Sequence, residues 1–419
     1  METILIAIVD TVGACQIYLL LAKALAQKGH RVVLAAPKAL AEQASTLDGV
    51  EFRPLPLDVV QMTEQMKGKK MGILEVPAYI LKVVKILFPT LYGTVKALQE
   101  IVEEVHPDKA ISNHVFQFWF QHVCARIPTK AFVGGYIISD PVLARLGVSP
   151  NLFPQIKSPV RFILAPLLHA LLLIVWELLF VPATWVLSCI AARKIVPYVP
   201  MLLSLLRCRK RIYAMFPITL GLKGTGPFYK TVKVVGPFLN EETEQLPAVV
   251  DSFMQSHANV ALVTRSSLSG FPDKVAMIVD VLLHHNFGGI IFVGKNWKPA
   301  AFQHDNVLFV DYVHLQSLYR RGITFGITSA GAGTRNERLA FGIPGPYIPI
   351  PGEQWETAKD LFGLGLTSKP LVLEEMTSVE LEKAVVDCIV NQEDVWRFAQ
   401  DAPKDGLKQA VDWLVELSK

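Results

Sequence analysis

Residues 312–365 read YVHLQSLYRRGITFGITSAGAGTRNERLAFGIPGPYIPIPGEQWETAKDLFGLG. Within them, Ile323 to Thr328 has strand character, and the small-residue turn Thr328-Ser329-Ala330-Gly331-Ala332-Gly333-Thr334 leads into a helical pattern. Small residues at a strand-to-helix turn let backbone N–H groups approach a ligand closely, and a helix N-terminus favours negative charge. A diphosphate suits such a turn, although turns of this composition also occur as plain connections in α/β folds. Glu337 follows Thr334 by three residues, one helical turn in, where a carboxylate accepts both hydroxyls of a ribose. Gly342-Ile343-Pro344 and Pro349 then carry the chain to Glu353-Gln354. A carboxylate beside an amide supplies acceptors and donors for the vicinal hydroxyls of a sugar. Phosphate turn, ribose carboxylate and sugar-reading pair thus supply a contact for each part of a nucleotide sugar.

Upstream, apolar runs at 259–264, 289–293, 306–310 and 323–328 alternate with helical patterns near 272–285 and 314–320. That rhythm predicts a parallel sheet covered on both faces by helices. The N-terminal half opens the same way. A strand over 3–9 ends in the turn Asp10-Thr11-Val12-Gly13, a helix follows over 16–28, and Gly29-His30 precedes a strand over Arg31 to Ala35. Further units fall at Pro107 to Ser112 and Thr129 to Gly134. The Gly/Pro-marked passage around Val234 to Glu244 places a domain boundary near 240. Three parts are expected: 1–240, 241–400, and a C-terminal helix in 401–419. The apolar face of that helix, Leu407, Ala410, Val411 and Leu414, is expected to pack back toward the N-terminal domain.

A chain of 419 residues exceeds the comfortable size of one hydrophobic core, and with 51% hydrophobic and 19% charged residues it is not disordered. A net charge of +4 with no basic stripe interleaved with aromatics gives no reason to expect nucleic acid as a partner. The five cysteines are dispersed without CxxC spacing, which excludes a zinc site or disulfide framework as the organising device and fits reduced, cytoplasmic-side thiols. No metal is expected. The N-terminus lacks a basic n-region and reads as a first strand, not a signal peptide.

The βα rhythm breaks between 150 and 216. Ile163 to Ala192 holds one charged residue, Glu177, with His169 and prolines at 166 and 182. The positive mean hydropathy points the same way, to apolar surface that meets lipid or a greasy ligand. Three readings of the insert 158–206 stand open: helices lying on a membrane, a single transmembrane span, or a buried helical acceptor pocket. The basic run Arg207 to Arg211 suits anionic headgroups, so 158–211 is the expected membrane-facing stretch, though the run also suits a solvated turn.

The stretch from Tyr312 to Gly365 resembles the donor-binding signature of family 1 UDP-glycosyltransferases with the GT-B fold, particularly the sterol and antibiotic glucosyltransferases. DTVGACQIYLLLAKALAQKGHRVVLAAP, from Asp10, resembles that family's first β-α-β unit. The resemblance implies two Rossmann-like doubly wound domains facing a central cleft, with the apolar insert in the N-terminal one. It also implies inverting transfer of a hexose from a UDP- or TDP-sugar to an acceptor hydroxyl, with no cofactor beyond the donor. Carried over residue by residue, Tyr312 takes the place of the aromatic that stacks on uracil, and Ser266 and Ser267 lie near the diphosphate contacts. Ser329, Gly331, Gly333 and Thr334 form the phosphate turn, Glu337 binds ribose, and Glu353 with Gln354 bind the sugar.

Two positions depart from the family pattern. Its histidine before the Gly-rich turn is replaced here by Ser329, and losing a charge-assisted contact costs on the order of 1–3 kcal/mol. Its general base after the first strand is replaced by Ala14, leaving Asp10 and His114 as candidates, each with an ordinary capping or core role as the alternative. Two functions are therefore carried forward. One is an inverting glycosyltransferase acting on a lipophilic acceptor such as a sterol, terpenoid, polyketide or lipid, at the cytoplasmic side of a membrane or in the cytoplasm. The other is a degenerate homologue that binds a nucleotide sugar or recruits a partner to membranes without catalysis.

Overall fold

Among the described residues, apolar runs rich in Val, Ile and Phe become strands in both halves of the chain. The computed structural model describes residues 1–8, 12–56, 93–94, 96–113, 131–135, 212–216, 232–240, 245–264, 268, 271–294, 304–350 and 353–417. The first sheet contains β1 (Thr3–Ala7), β2 (Arg31–Pro37), β3 (Val50–Leu55), β4 (Lys109–Asn113), β5 (Ala131–Gly135), β6 (Ile212–Phe216) and β7 (Val232–Val234). Its order is β3-β2-β1-β4-β5-β6-β7, and every pairing is parallel. Helices α1 (Val12–Gln27) and α2 (Ala41–Ser45) connect the first three strands. Gly29, at φ +82°, makes the left-handed turn that lets the chain leave α1 and enter β2.

After α3 (Ala248–Ser256) the second sheet is built from β8 (Val260–Thr264), β9 (Gly289–Val293), β10 (Val307–Val310) and β11 (Ile323–Thr328). Their order is β10-β9-β8-β11, again all parallel. Around them run α4 (Pro272–His284), α5 (Leu315–Arg321), α6 (Ala332–Ala340), α7 (Glu353–Gly363), α8 (Ser378–Val390), α9 (Gln392–Asp401) and α10 (Gly406–Glu416). The strands alternate with a period of two, except that a register irregularity between Ile323 and Phe325 in β11 turns Ile323 to the opposite face. Ala261, Val263, Phe325 and Ile327 join a core with residues of α4 and α8. Val260, Leu262, Ile291 and Ile323 join a second core with α3 and α5. Both faces are covered, as a parallel sheet requires.

The chain divides into two compact units, the second spanning Gly236–Gly406, and the residues from Leu407 onward belong to the first. In the first unit Lys109 on β4 is fully buried, ion-pairs with Glu2 at 2.8 Å, and donates from Nζ to the carbonyl of Leu414 on α10. Ala410, Val411 and Leu414 are buried on the same helix, as its apolar spacing predicts. The insert 158–206 lies outside the described residues.

Candidate functional site

In the second sheet, successive βα units run outward from β8 to β9 and β10, and the chain then returns to place β11 on the other side of β8. Open α/β sheets bind ligands outside the carboxyl ends of the strands at such a reversal. The two ends are Thr264 and Thr328, which are register partners. Thr264 Oγ1 is buried there without a hydrogen-bond partner among the described residues.

From Thr328 the chain passes through Ser329, Ala330 and Gly331 into α6. Ala330 is buried with φ at +62°, a left-handed conformation that a non-glycine residue adopts at some cost. The first internal bond of α6 runs from Arg335 N to Gly331 O at 2.9 Å, and no side chain caps the helix. The amides of Ala332, Gly333 and Thr334 thus lie ahead of that bond, with no acidic residue in the first turn to repel an anion.

The turn is held by Arg338, a fully buried cation further along α6. Its Nη1 donates to Gly326 O at 2.8 Å, Thr328 Oγ1 at 3.2 Å and Pro346 O at 3.4 Å, and its Nη2 donates to Gly345 O at 2.8 Å. The guanidinium also stacks 3.8 Å from the centre of the Tyr347 ring. Glycines make room for this clamp. A Cβ on Gly326 would stand 3.1 Å from Arg338 Cδ, and one on Gly345 would stand 2.0 Å from Gly326 O. The fork of one arginine thereby ties the end of β11 to the loop that follows α6.

Glu337 projects from the next position. Its residue is partly exposed, and burial of the carboxylate is the largest influence on it, pushing its pKa up to about 7. The hydrogen bond from Gln316 and the charge of Arg320 oppose that shift. Gln316 Nε2 donates to Glu337 Oε1 at 2.8 Å. Gln354, on the first turn of α7, accepts the backbone N–H of Ile350 through Oε1 at 3.1 Å, which leaves Nε2 directed elsewhere. That nitrogen lies 3.7 Å, and Ser329 Oγ 3.8 Å, from where a Cβ on Gly331 would stand. Gly331, Ser329 and Gln354 therefore converge on one spot.

Tyr312, ahead of α5, is 60% exposed. Gly333 and Thr334 are half-buried within the first turn of α6, and Glu353 begins α7. Ser266, Ser267, Asp10 and His114 lie outside the described residues. Among the described residues no helix is long and apolar enough to cross a membrane, and no cluster of His, Cys, Asp and Glu gathers that suits a metal ion.

The contacts of Gln316 and Arg338 were not legible in the sequence. Arg338 sits in Arg335-Asn336-Glu337-Arg338, a run that reads as a solvated helix surface. Gln316 lies in the helix LQSLYRR beside the equally buried polar Ser317, and nothing in the sequence sets it apart.

No protein-family model and no curated protein sequence matches the chain. Solved structures do. CalG4, the calicheamicin glycosyltransferase, is similar with a TM-score of 0.67 at 16% identity, over 100% of this chain and 98% of that one. The glycosyltransferase SnogD from Streptomyces nogalater gives 0.61 at 15% identity, over 100% of both chains. The glycosyltransferase VinC, in complex with dTDP, gives 0.61 at 14% identity, over 99% of both. The chain has the two-domain GT-B fold of these glycosyltransferases.

Proposed function

We propose that the protein is an inverting glycosyltransferase that moves a hexose from a UDP- or TDP-sugar to a hydroxyl of a lipophilic acceptor. One observation carries this reading. At the sheet reversal, Ser329 and the Gln354 amide converge on Gly331 beside the uncapped amides at the start of α6, and Glu337 lies further along the same helix. The similar folds belong to proteins named as glycosyltransferases of calicheamicin and of kitacinnamycin, and to VinC, which holds dTDP. In this scheme the amides of Gly333 and Thr334 take the diphosphate, which is the leaving group, and stabilise the charge that develops on it. Ser266 and Ser267 contribute from the loop after β8, and Tyr312 stacks on the base. Glu337 accepts the ribose hydroxyls, and Glu353 with Gln354 fix the hexose. The apolar stretch 158–206 supports a greasy acceptor and a membrane-surface setting through 158–211. Asp10 and His114 are the candidates for the base that deprotonates the acceptor hydroxyl.

The test is to incubate the full chain, with membranes, with UDP- and TDP-sugars and a panel of lipophilic alcohols, measuring nucleotide release. Acceptor-dependent release, abolished by Glu353→Ala with Gln354→Ala, is expected. Tight donor binding with no release from any pairing would instead favour the non-catalytic homologue, a reading that Ser329 in the histidine position supports.

A further inference from the structure

Gln316 on α5 is 1% exposed, and its side-chain amide is engaged at both ends. Oε1 accepts the backbone N–H of Asn240 at 2.7 Å. A backbone N–H only donates, so this contact fixes which end of the amide is oxygen. Nε2 is therefore turned toward Glu337 Oε1, at 2.8 Å, and reaches Phe238 O at 3.4 Å. One turn on, Arg320 donates to Asn240 O, so two side chains of α5 grip the same backbone segment. Glu337 is thus tied through one rigid amide to main chain.

The chemistry of the carboxylate makes that tie matter. Burial favours the neutral acid, which would turn one oxygen of Glu337 from an acceptor into a donor. The donated bond from Gln316 and the charge of Arg320 both favour the anion. Tyr319 faces the same carboxylate, and burial holds its phenol neutral, so it adds no competing charge.

We propose that Gln316 is a positioning residue for the nucleoside. It holds the Glu337 carboxylate so that the remaining lone pairs meet the ribose hydroxyls, and it makes ribose recognition depend on α5 as well as α6. The proposal rests on the reading of Glu337 as the ribose acceptor.

The experiment compares UDP with 2′,3′-dideoxy-UDP by calorimetric titration of the full chain and two variants. Wild type is expected to prefer UDP. Gln316→Met keeps the size and removes the donor. It should lower that preference by about tenfold, the weight of one hydrogen bond to a charged group, and leave dideoxy-UDP affinity unchanged. Gln316→Glu keeps an acceptor for Asn240. Near pH 6 a shared proton restores the bond to Glu337, and near pH 8 the two carboxylates repel. Measured against wild type at the same pH, its preference for UDP should therefore be retained in acid and lost in alkali, a pattern that a merely space-filling role does not produce. Full preference in both variants at both pH values overturns the proposal, as does an equal loss of affinity for the two ligands. A wild type with no preference overturns the ribose reading of Glu337 itself.

Discussion

As the proposed ribose acceptor, Glu337 sets stability against binding at a single side chain. Its native pKa of about 7 exceeds the ordinary 4.5, so the sign follows directly. Below the ordinary value both folded and unfolded chains hold the proton, and nothing is lost. Between 4.5 and about 7 the unfolded chain releases a proton that the native state retains, and native stability falls until it levels off above 7. Glu337→Gln should match wild type in thermal unfolding near pH 4 and exceed it near pH 8, by about 1–3 kcal/mol. Identical pH profiles for the two proteins would contradict this. Ribose hydroxyls need the anion as acceptor, so nucleotide affinity in wild type should move the opposite way and weaken as pH falls through about 7. Ser329 adjoins the turn proposed to hold the diphosphate. Ser329→His supplies a charge-assisted donor and should raise UDP affinity about tenfold in calorimetric titration, and an unchanged affinity would place the diphosphate elsewhere.

At the scale of elements, the turn between β11 and α6 is held from behind. Arg338 satisfies carbonyls of Gly326, Gly345 and Pro346 at once and stacks on Tyr347. Arg338→Met removes the fork, and although Thr367 Oγ1 still donates to Gly345 O and Thr328 N to Pro346 O, losing the charged donor should cost about 3 kcal/mol. Chemical denaturation should register it, and a change below about 1 kcal/mol would show that the clamp is incidental. Gly345→Ala should be as damaging, since its Cβ would stand 2.0 Å from Gly326 O at a φ of +144°. The sequence made the elements of this region readable, because apolar runs with period two and Gly-rich turns are local signals. The strands at 289–293 and 323–328 fall where that patterning puts them. Glu337 and Gln354 stood out in the sequence by their spacing from the Gly-rich turn, and their roles belong to the proposal. The contacts that orient them were not readable. Gln316 meets Asn240 from 76 residues away, and no local pattern encodes such a pairing. β3, β6 and β7 were also missed, β7 for its length of only three residues and β6 for its place directly after the apolar stretch.

The whole molecule is two parallel-sheet units, with the last helix returning to the first. Glu2, Lys109 and Leu414 join β4 and α10 near the start of β1, and Lys28 approaches Asp412 at 3.9 Å. Ending the chain at Asp405 should therefore expose β1 and β4. Hydrogen exchange is expected to rise over 3–7 and 109–113 and stay unchanged over 260–264 and 323–328, whereas a uniform rise would mean that α10 stabilises both units alike. The central claim is that the reversal between β8 and β11 binds the nucleotide of a sugar donor. A crystal of the full chain soaked in UDP tests it most directly. The diphosphate is expected against the amides of Gly333 and Thr334, with the ribose hydroxyls about 3 Å from Glu337. A nucleotide bound elsewhere at saturating UDP, or none bound, would contradict the account.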